Sequence, residues 1–162
     1  MKAVFGLMLA LIAAPSLGQP LPTFEFKGIK AGEVVDPKVV KRCFEKKTGV
    51  ECWQYHDRVA GVDALTITTF VGGKLSTIGG YVDEAHYSDV LAAFKAKYGE
   101  PCSVSTEPWQ NALGANFENP ISTWCFSSGT LLLKKVGRKI SESAFYYVDS
   151  NKAPEPEPKV DF

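Results

Sequence analysis

The chain has little of what catalytic and metal sites are built from. Its 162 residues include two histidines, His56 and His86, and four cysteines with no Cys-x-x-Cys spacing. A zinc site or a redox dithiol needs its ligands clustered at short spacing, so neither a metal nor a redox centre is expected. A Gly-x-Ser-x-Gly elbow, a phosphate-binding glycine loop and a His-Glu-x-x-His pair are also missing. The sequence therefore assigns no catalytic residues and no cofactor. Charge of one sign is lacking too, since the formal net charge is zero. That leaves no global field to draw the chain to nucleic acid or to an anionic membrane.

Long apolar runs are missing except at the N-terminus, where Lys2 precedes the run Ala3 to Ala14 and then Pro15-Ser16-Leu17-Gly18. A short positive segment, an apolar stretch too short to span a bilayer, and small residues at Ser16 and Gly18 describe a secretory signal peptide over 1–18. A buried N-terminal helix or an uncleaved anchor is the alternative. A lipid anchor would need a cysteine just after the apolar run, and the first one is Cys43. The mature chain is expected to begin near Gln19, to be periplasmic or secreted, and not to span a membrane. Removing the leader leaves about 140 residues, one ordinary domain over 19–150. The end, Ala153-Pro154-Glu155-Pro156-Glu157-Pro158, cannot join a ladder, so 151–162 reads as a disordered, Pro-rich tail.

Export changes how the cysteines read. Cys43, Cys52, Cys102 and Cys125 allow three pairings, and sequence alone does not choose between them. Each half of the chain holds two, which favours Cys43 with Cys52 and Cys102 with Cys125 as structural disulfides. Each such loop would restrict the unfolded chain by about 2.5 to 3.5 kcal/mol on the entropic model.

Along the chain, Phe24 to Gly32 reads as a short strand or extended segment. Asp36 and Pro37 then supply a helix start and Thr48-Gly49 a helix end. Within the expected helix Val39, Val40, Cys43 and Phe44 share one face, and Lys38, Lys41, Arg42 and Lys46 the other. Strand candidates follow at Cys52 to Tyr55, at Leu65 to Val71, and, after the Gly72-Gly73 turn, at Lys74 to Val82. Asp83 caps a second helix with Tyr87, Val90, Leu91, Phe94 and Tyr98 at helical spacing, ending at Gly99. An extended stretch reaches Trp109-Gln110, and further strands are expected over Ile121 to Phe126, Thr130 to Val136 and Ala144 to Val148. Gly79-Gly80 reads as a turn or bulge pair. The fold expected is α+β, an antiparallel sheet packed by two helices, with a tandem helix-plus-hairpin repeat as a further reading. In that repeat Cys52 matches Cys102, and Phe70, Gly73 and Leu75 match Phe126, Gly129 and Leu131.

The run Phe26-Lys27-Gly28-Ile29-Lys30-Ala31-Gly32, a helix, and then Thr48-Gly49-Val50-Glu51-Cys52 resembles the repeat of the secreted β-lactamase inhibitor proteins. Similar short segments occur in the small outer-membrane-assembly lipoproteins. The resemblance implies helical elements on an antiparallel sheet with one local disulfide per repeat, Cys43 with Cys52 and Cys102 with Cys125. No inhibitory contact residue of that family maps onto this chain, so architecture alone is implied.

Candidate functional residues are few. His56-Asp57-Arg58 has the residue types of a carboxylate-oriented base, but neighbours on a strand point to opposite faces, so His56 and Asp57 cannot pair if extended. His86, in the first turn of the second helix, reads as a surface residue. The basic set Lys38, Lys41, Arg42 and Lys46 could meet an acidic partner or simply be solvated. Trp109, in a loop over Glu107 to Gly114, is an interface anchor if exposed and core if buried. The function expected is a protein-interaction module, of inhibitor or immunity type, whose partner is another envelope or secreted protein and not nucleic acid. The alternatives are a small periplasmic hydrolase using His56 with Asp57 or Asp63, and a prophage or envelope-stress accessory protein.

Overall fold

The computed structural model describes residues 20–40, 42–110 and 114–150. The leader expected over 1–18, the tail expected over 151–162 and Lys41 lie outside them.

A small hairpin comes first: β1 (Glu25–Phe26) and β2 (Ile29–Lys30) are joined through Lys27 and Gly28, both at positive φ, as a two-residue primed turn requires. The main strands are β3 (Cys43–Lys46), β4 (Gly49–Val59), β5 (Val62–Val71), β6 (Lys74–Asp83), β7 (Ser103–Gln110), β8 (Asn116–Phe126), β9 (Gly129–Lys134) and β10 (Glu142–Asp149). They form one antiparallel eight-stranded sheet in the order β3-β4-β5-β6-β10-β9-β8-β7. Two meanders thus meet at β6 and β10. The connection between them is α1 (Tyr87–Tyr98), preceded by a 3-10 turn over Glu84–His86.

The architecture is mostly β, which corrects the expectation of an α+β sheet packed by two helices. Among the described residues α1 is the one α-helix. The start signal at Asp36 is real: its carboxylate accepts from the Lys38 backbone N–H at 2.9 Å. It opens only a 3-10 turn, Pro37–Val39. Beyond it Cys43–Lys46 pairs with Gly49–Cys52 as an edge hairpin, with Cys43 opposite Cys52 and their Cα atoms 4.0 Å apart. The expected helical stripe is split, with Val40 and Cys43 packed against the core while Val39 and Phe44 are exposed. A hairpin ladder to β4, itself paired with β5, plus a cross-strand disulfide outweighs a cap that is worth about 1 kcal/mol.

The tandem helix-plus-hairpin reading fails with it. Each meander does carry one disulfide tying its outer strand to the next, Cys43 to Cys52 and Cys102, just before β7, to Cys125. The topological match is therefore Cys43 with Cys102, not Cys52 with Cys102. Phe70 to Leu75 joins β5 to β6, whereas Phe126 to Leu131 joins β8 to β9, one strand earlier in its meander.

One face of the sheet is covered. The β1–β2 hairpin contributes Phe24 and Phe26, α1 contributes Val90 and Phe94, and the strands contribute Phe70, Ile78, Trp124, Leu131, Leu133, Phe145 and Tyr147. Phe24 stacks on Tyr147 at 3.8 Å between centroids, and Phe94 meets Trp124 and Phe145 edge-on. This contact explains Gly80, which with Gly79 sits in the middle of β6 and not in a turn or bulge. The Phe145 ring lies where a Gly80 side chain would go, and a Cβ there would be 2.1 Å from its Cζ. Glycine is the residue that lets the ring cross.

Candidate functional site

Register places the other side chains of the strands on the opposite, open face. Trp53, Ile67, Gly79, Tyr146 and Leu132 form one row across β4, β5, β6, β10 and β9, and Tyr55, Leu65, Tyr81 and Ala144 lie beside it. The middle of β5 is oriented against its own hydropathy, between Ala64 and Phe70, which face the core. Its covered positions include Thr66 and Thr68, 3% and 4% exposed, while Leu65 and Ile67 point to the open side and stay half-exposed. A strand that holds threonines inside and presents leucine and isoleucine outside has an outer surface suited to a second layer.

One end of this face is framed by the loop 135–141 between β9 and β10. Buried Asn119 fixes it, donating to the Val136 carbonyl at 2.8 Å and accepting from the Val136 N–H at 2.7 Å. Arg138, on that loop, lies 4.0 Å over the Tyr81 ring and pairs with Glu142 at 3.6 Å. Tyr146 donates to the Tyr81 hydroxyl at 3.1 Å.

The register of β4 slips between Gln54 and Asp57, a β-bulge that leaves Tyr55 and His56 between two covered-face residues. His56 takes a left-handed conformation, φ 52°. Its Nδ1 donates to Asp63 Oδ2 at 2.8 Å, and the imidazole is 87% exposed. Asp57 is turned to the other side, 4% exposed. It accepts from Gln54 Nε2, the Arg58 N–H and Thr66 Oγ1 at 3.0, 2.9 and 2.8 Å, and it pairs with Lys27 at the hairpin turn. The expected separation of His56 from Asp57 is thus what the structure has, and the partner of His56 is Asp63. Asp57 instead clamps the β1–β2 hairpin onto the sheet.

Two shallow grooves meet at Tyr55 and His56. One, of about 390 Å³, is lined by Leu65, Tyr81, Arg138 and Ser141, with Asp63, Asp83 and Glu142 on its walls. The other, of about 610 Å³, is lined by Arg42, Trp53, Gln54, Tyr55 and His56. Arg42 stands over the Tyr55 ring, 5.8 Å from its centroid. Beneath Trp53, Glu51 accepts from the indole N–H and from Lys46, each at 2.6 Å. Burial pushes the Glu51 carboxyl up, but these bonds and the Lys46 charge outweigh it and hold the group below the usual value of 4.5.

The basic set does not form a helix face. Lys38 belongs to the 3-10 turn, Arg42 to the groove, and Lys46 to an ion pair with Glu51, so three of the four residues do different work. Trp109 lies at the end of β7 and not in a loop. It is half-buried, 6.0 Å from exposed Phe117, on the open side of the sheet. Arg42 and Trp109 thus share one face but sit at its opposite edges, seven strand spacings or about 34 Å apart across the sheet. His86 is on the surface, 3.2 Å from Asp89.

Sequence reasoning missed Trp53, Tyr55, Tyr81, Tyr146 and Arg138. The alternation Trp53, Tyr55 and the outward pair Leu65, Ile67 were the available signal. Among the described residues no three His, Cys, Asp or Glu side chains are grouped to hold a metal ion. No protein-family model matches the chain, and neither a curated protein nor a solved structure is similar to it.

Proposed function

We propose that the chain is a protein-binding module that engages an envelope or secreted protein through the open face of its sheet. The observation that carries this reading is the inverted strand β5, which turns Leu65 and Ile67 out between Trp53, Tyr55, Tyr81 and Tyr146. Aromatic residues on a rigid, half-desolvated surface are what interface centres are made of. Two disulfides are consistent with an oxidising, extracytoplasmic compartment. No helix among the described residues is long and apolar enough to cross a membrane.

The test is a paired capture from envelope extract with the purified chain. One variant alters the open face (Ile67→Lys), and a control alters the solvent side of α1 (Lys97→Glu). The reading expects a partner retained by the control and lost by Ile67→Lys. Equal capture by both variants would reject the open face as the binding surface.

A small hydrolase using His56 is the second reading, favoured by the 2.8 Å bond to Asp63. That pair lies in bulk solvent, where charge stabilisation is weakest. An activity abolished by His56→Ala with the fold intact would support it.

A further inference from the structure

Four described residues other than glycine have positive φ: Lys27, Arg42, His56 and Ala60. Lys27 and Ala60 precede Gly28 and Gly61 in the two-residue turns of hairpins β1–β2 and β4–β5, which demand that conformation. Arg42 and His56 sit in no such turn. Both line the same groove, and backbone held in a sparsely populated region outside turns clusters where side chains must be aimed.

What they are aimed at follows from the lining. Trp53 and Tyr55 give two adjoining aromatic rings, 6.1 Å apart between centroids, and Tyr55 is 51% exposed. Arg42 is the cation that lines the groove, and the carboxylate bonded to its Trp53 wall, Glu51, is paired with Lys46. The Arg42 guanidinium lies 5.8 Å from the Tyr55 ring centroid, within cation–π reach, and its planar fork suits a two-point bond to a carboxylate. The adjoining groove has the opposite character, with Asp63, Asp83 and Glu142 against Arg138 and His56. An anion is therefore drawn to the Arg42 end and repelled from the other. The surface beyond is aliphatic, Leu65 and Ile67, which suits protein side chains better than a sugar ring.

We infer that the groove of Arg42, Trp53, Tyr55 and His56 receives an acidic segment of the partner protein, an Asp or Glu side chain bonded by Arg42 with an apolar neighbour lodged on Trp53 and Tyr55. This rests on the open face being the binding surface. It adds the charge of the partner's segment and the end of the face at which that charge sits.

The test is a nuclear magnetic resonance titration of the purified chain with short capped peptides, identical except for a central Asp, Asn or Lys between Leu and Phe. The Trp53 indole N–H is the reporter. The expected order of affinity is Asp over Asn over Lys, with about tenfold between the first two at low salt and less at high salt. Arg42→Glu should lose the Asp peptide and gain the Lys peptide, a result that an unfolded variant cannot produce. Equal shifts from the Asp and Asn peptides would overturn the inference while leaving the open face as the binding surface. Shifts confined to α1 or the β1–β2 hairpin would reject both. Saturation of the same groove by an oligogalacturonate, with no response to any peptide, would replace the acidic protein segment with an acidic glycan and overturn the inference.

Discussion

Gly80→Ala adds one methyl group at the point where the covered face is tightest. The new Cβ would lie 2.1 Å from Phe145 Cζ, where ordinary contacts begin at 3.4 Å, so the ring must retreat by roughly 1.3 Å. Phe145 has no room to do so. It is fully buried, with Phe94 5.8 Å away and Phe26 6.1 Å away. The cost should fall at the upper end of overpacking, about 3 kcal/mol. Removing a glycine from a strand interior returns roughly 0.5 to 1 kcal/mol, leaving a net loss of about 2 kcal/mol. For a domain of this size that lowers Tm by about 8 °C. Urea and thermal unfolding followed by near-ultraviolet circular dichroism would measure it. In a Phe145→Leu background the clash is removed, and Gly80→Ala should then cost less than about 0.5 kcal/mol, a coupling typical of touching residues. A Gly80→Ala variant as stable as the parent, or one with the same cost in both backgrounds, would refute the packing described for β6 and β10.

The clamp at Asp57 should respond asymmetrically. Asp57→Ala strips acceptors from buried Thr66 and from Gln54 and should cost about 2 to 3 kcal/mol by urea unfolding, whereas Lys27→Met leaves Asp57 three donors and should cost less than about 1.5 kcal/mol. The Glu51 carboxyl is depressed in the folded chain, so its contribution is present above the unfolded value and is lost as pH falls through the folded one. Glu51→Gln should therefore flatten the acid limb of stability below about pH 4.5, and an unchanged limb would show that the Lys46 and Trp53 bonds are not formed in solution. Asn119→Ala removes both bonds to Val136 and should cost about 2 kcal/mol, with faster hydrogen exchange at the Val136 N–H.

Where the signals were local, the fold was legible. The Asp83 start, the stripe through Val90 and Phe94 and the Gly99 stop gave α1, and Gly72-Gly73 gave the β5–β6 hairpin. The disulfide partners favoured by their placement in each half are those observed. The stretch from Pro37 to Thr48 was misread because the β3–β4 hairpin is as local as the helix signals, and what decides for it, the docking of β4 on β5, is not written in the stripe. Gly80 misled because the ring that requires glycine there, Phe145, comes from β10, about 65 residues later.

The candidate site was less legible. Strict alternation separates His56 from Asp57, yet it cannot reveal the bulge that hands His56 to Asp63. Nor can it say that β5 turns its threonines inward, because Thr66 earns its buried place from Asp57, a residue on the neighbouring strand. With that orientation hidden, nothing in the sequence brings Trp53, Tyr55, Tyr81 and Tyr146 together on one face.

The central claim is that the open face is where this protein binds. Hydroxyl-radical footprinting of the chain alone and in complex with its captured partner tests it most directly, because Trp and Tyr side chains are themselves the reactive probes. The account predicts protection at Trp53, Tyr55, Tyr81 and Tyr146 with Tyr87 and Tyr98 of α1 unchanged. Protection of α1 with the four open-face aromatics still reactive would contradict it.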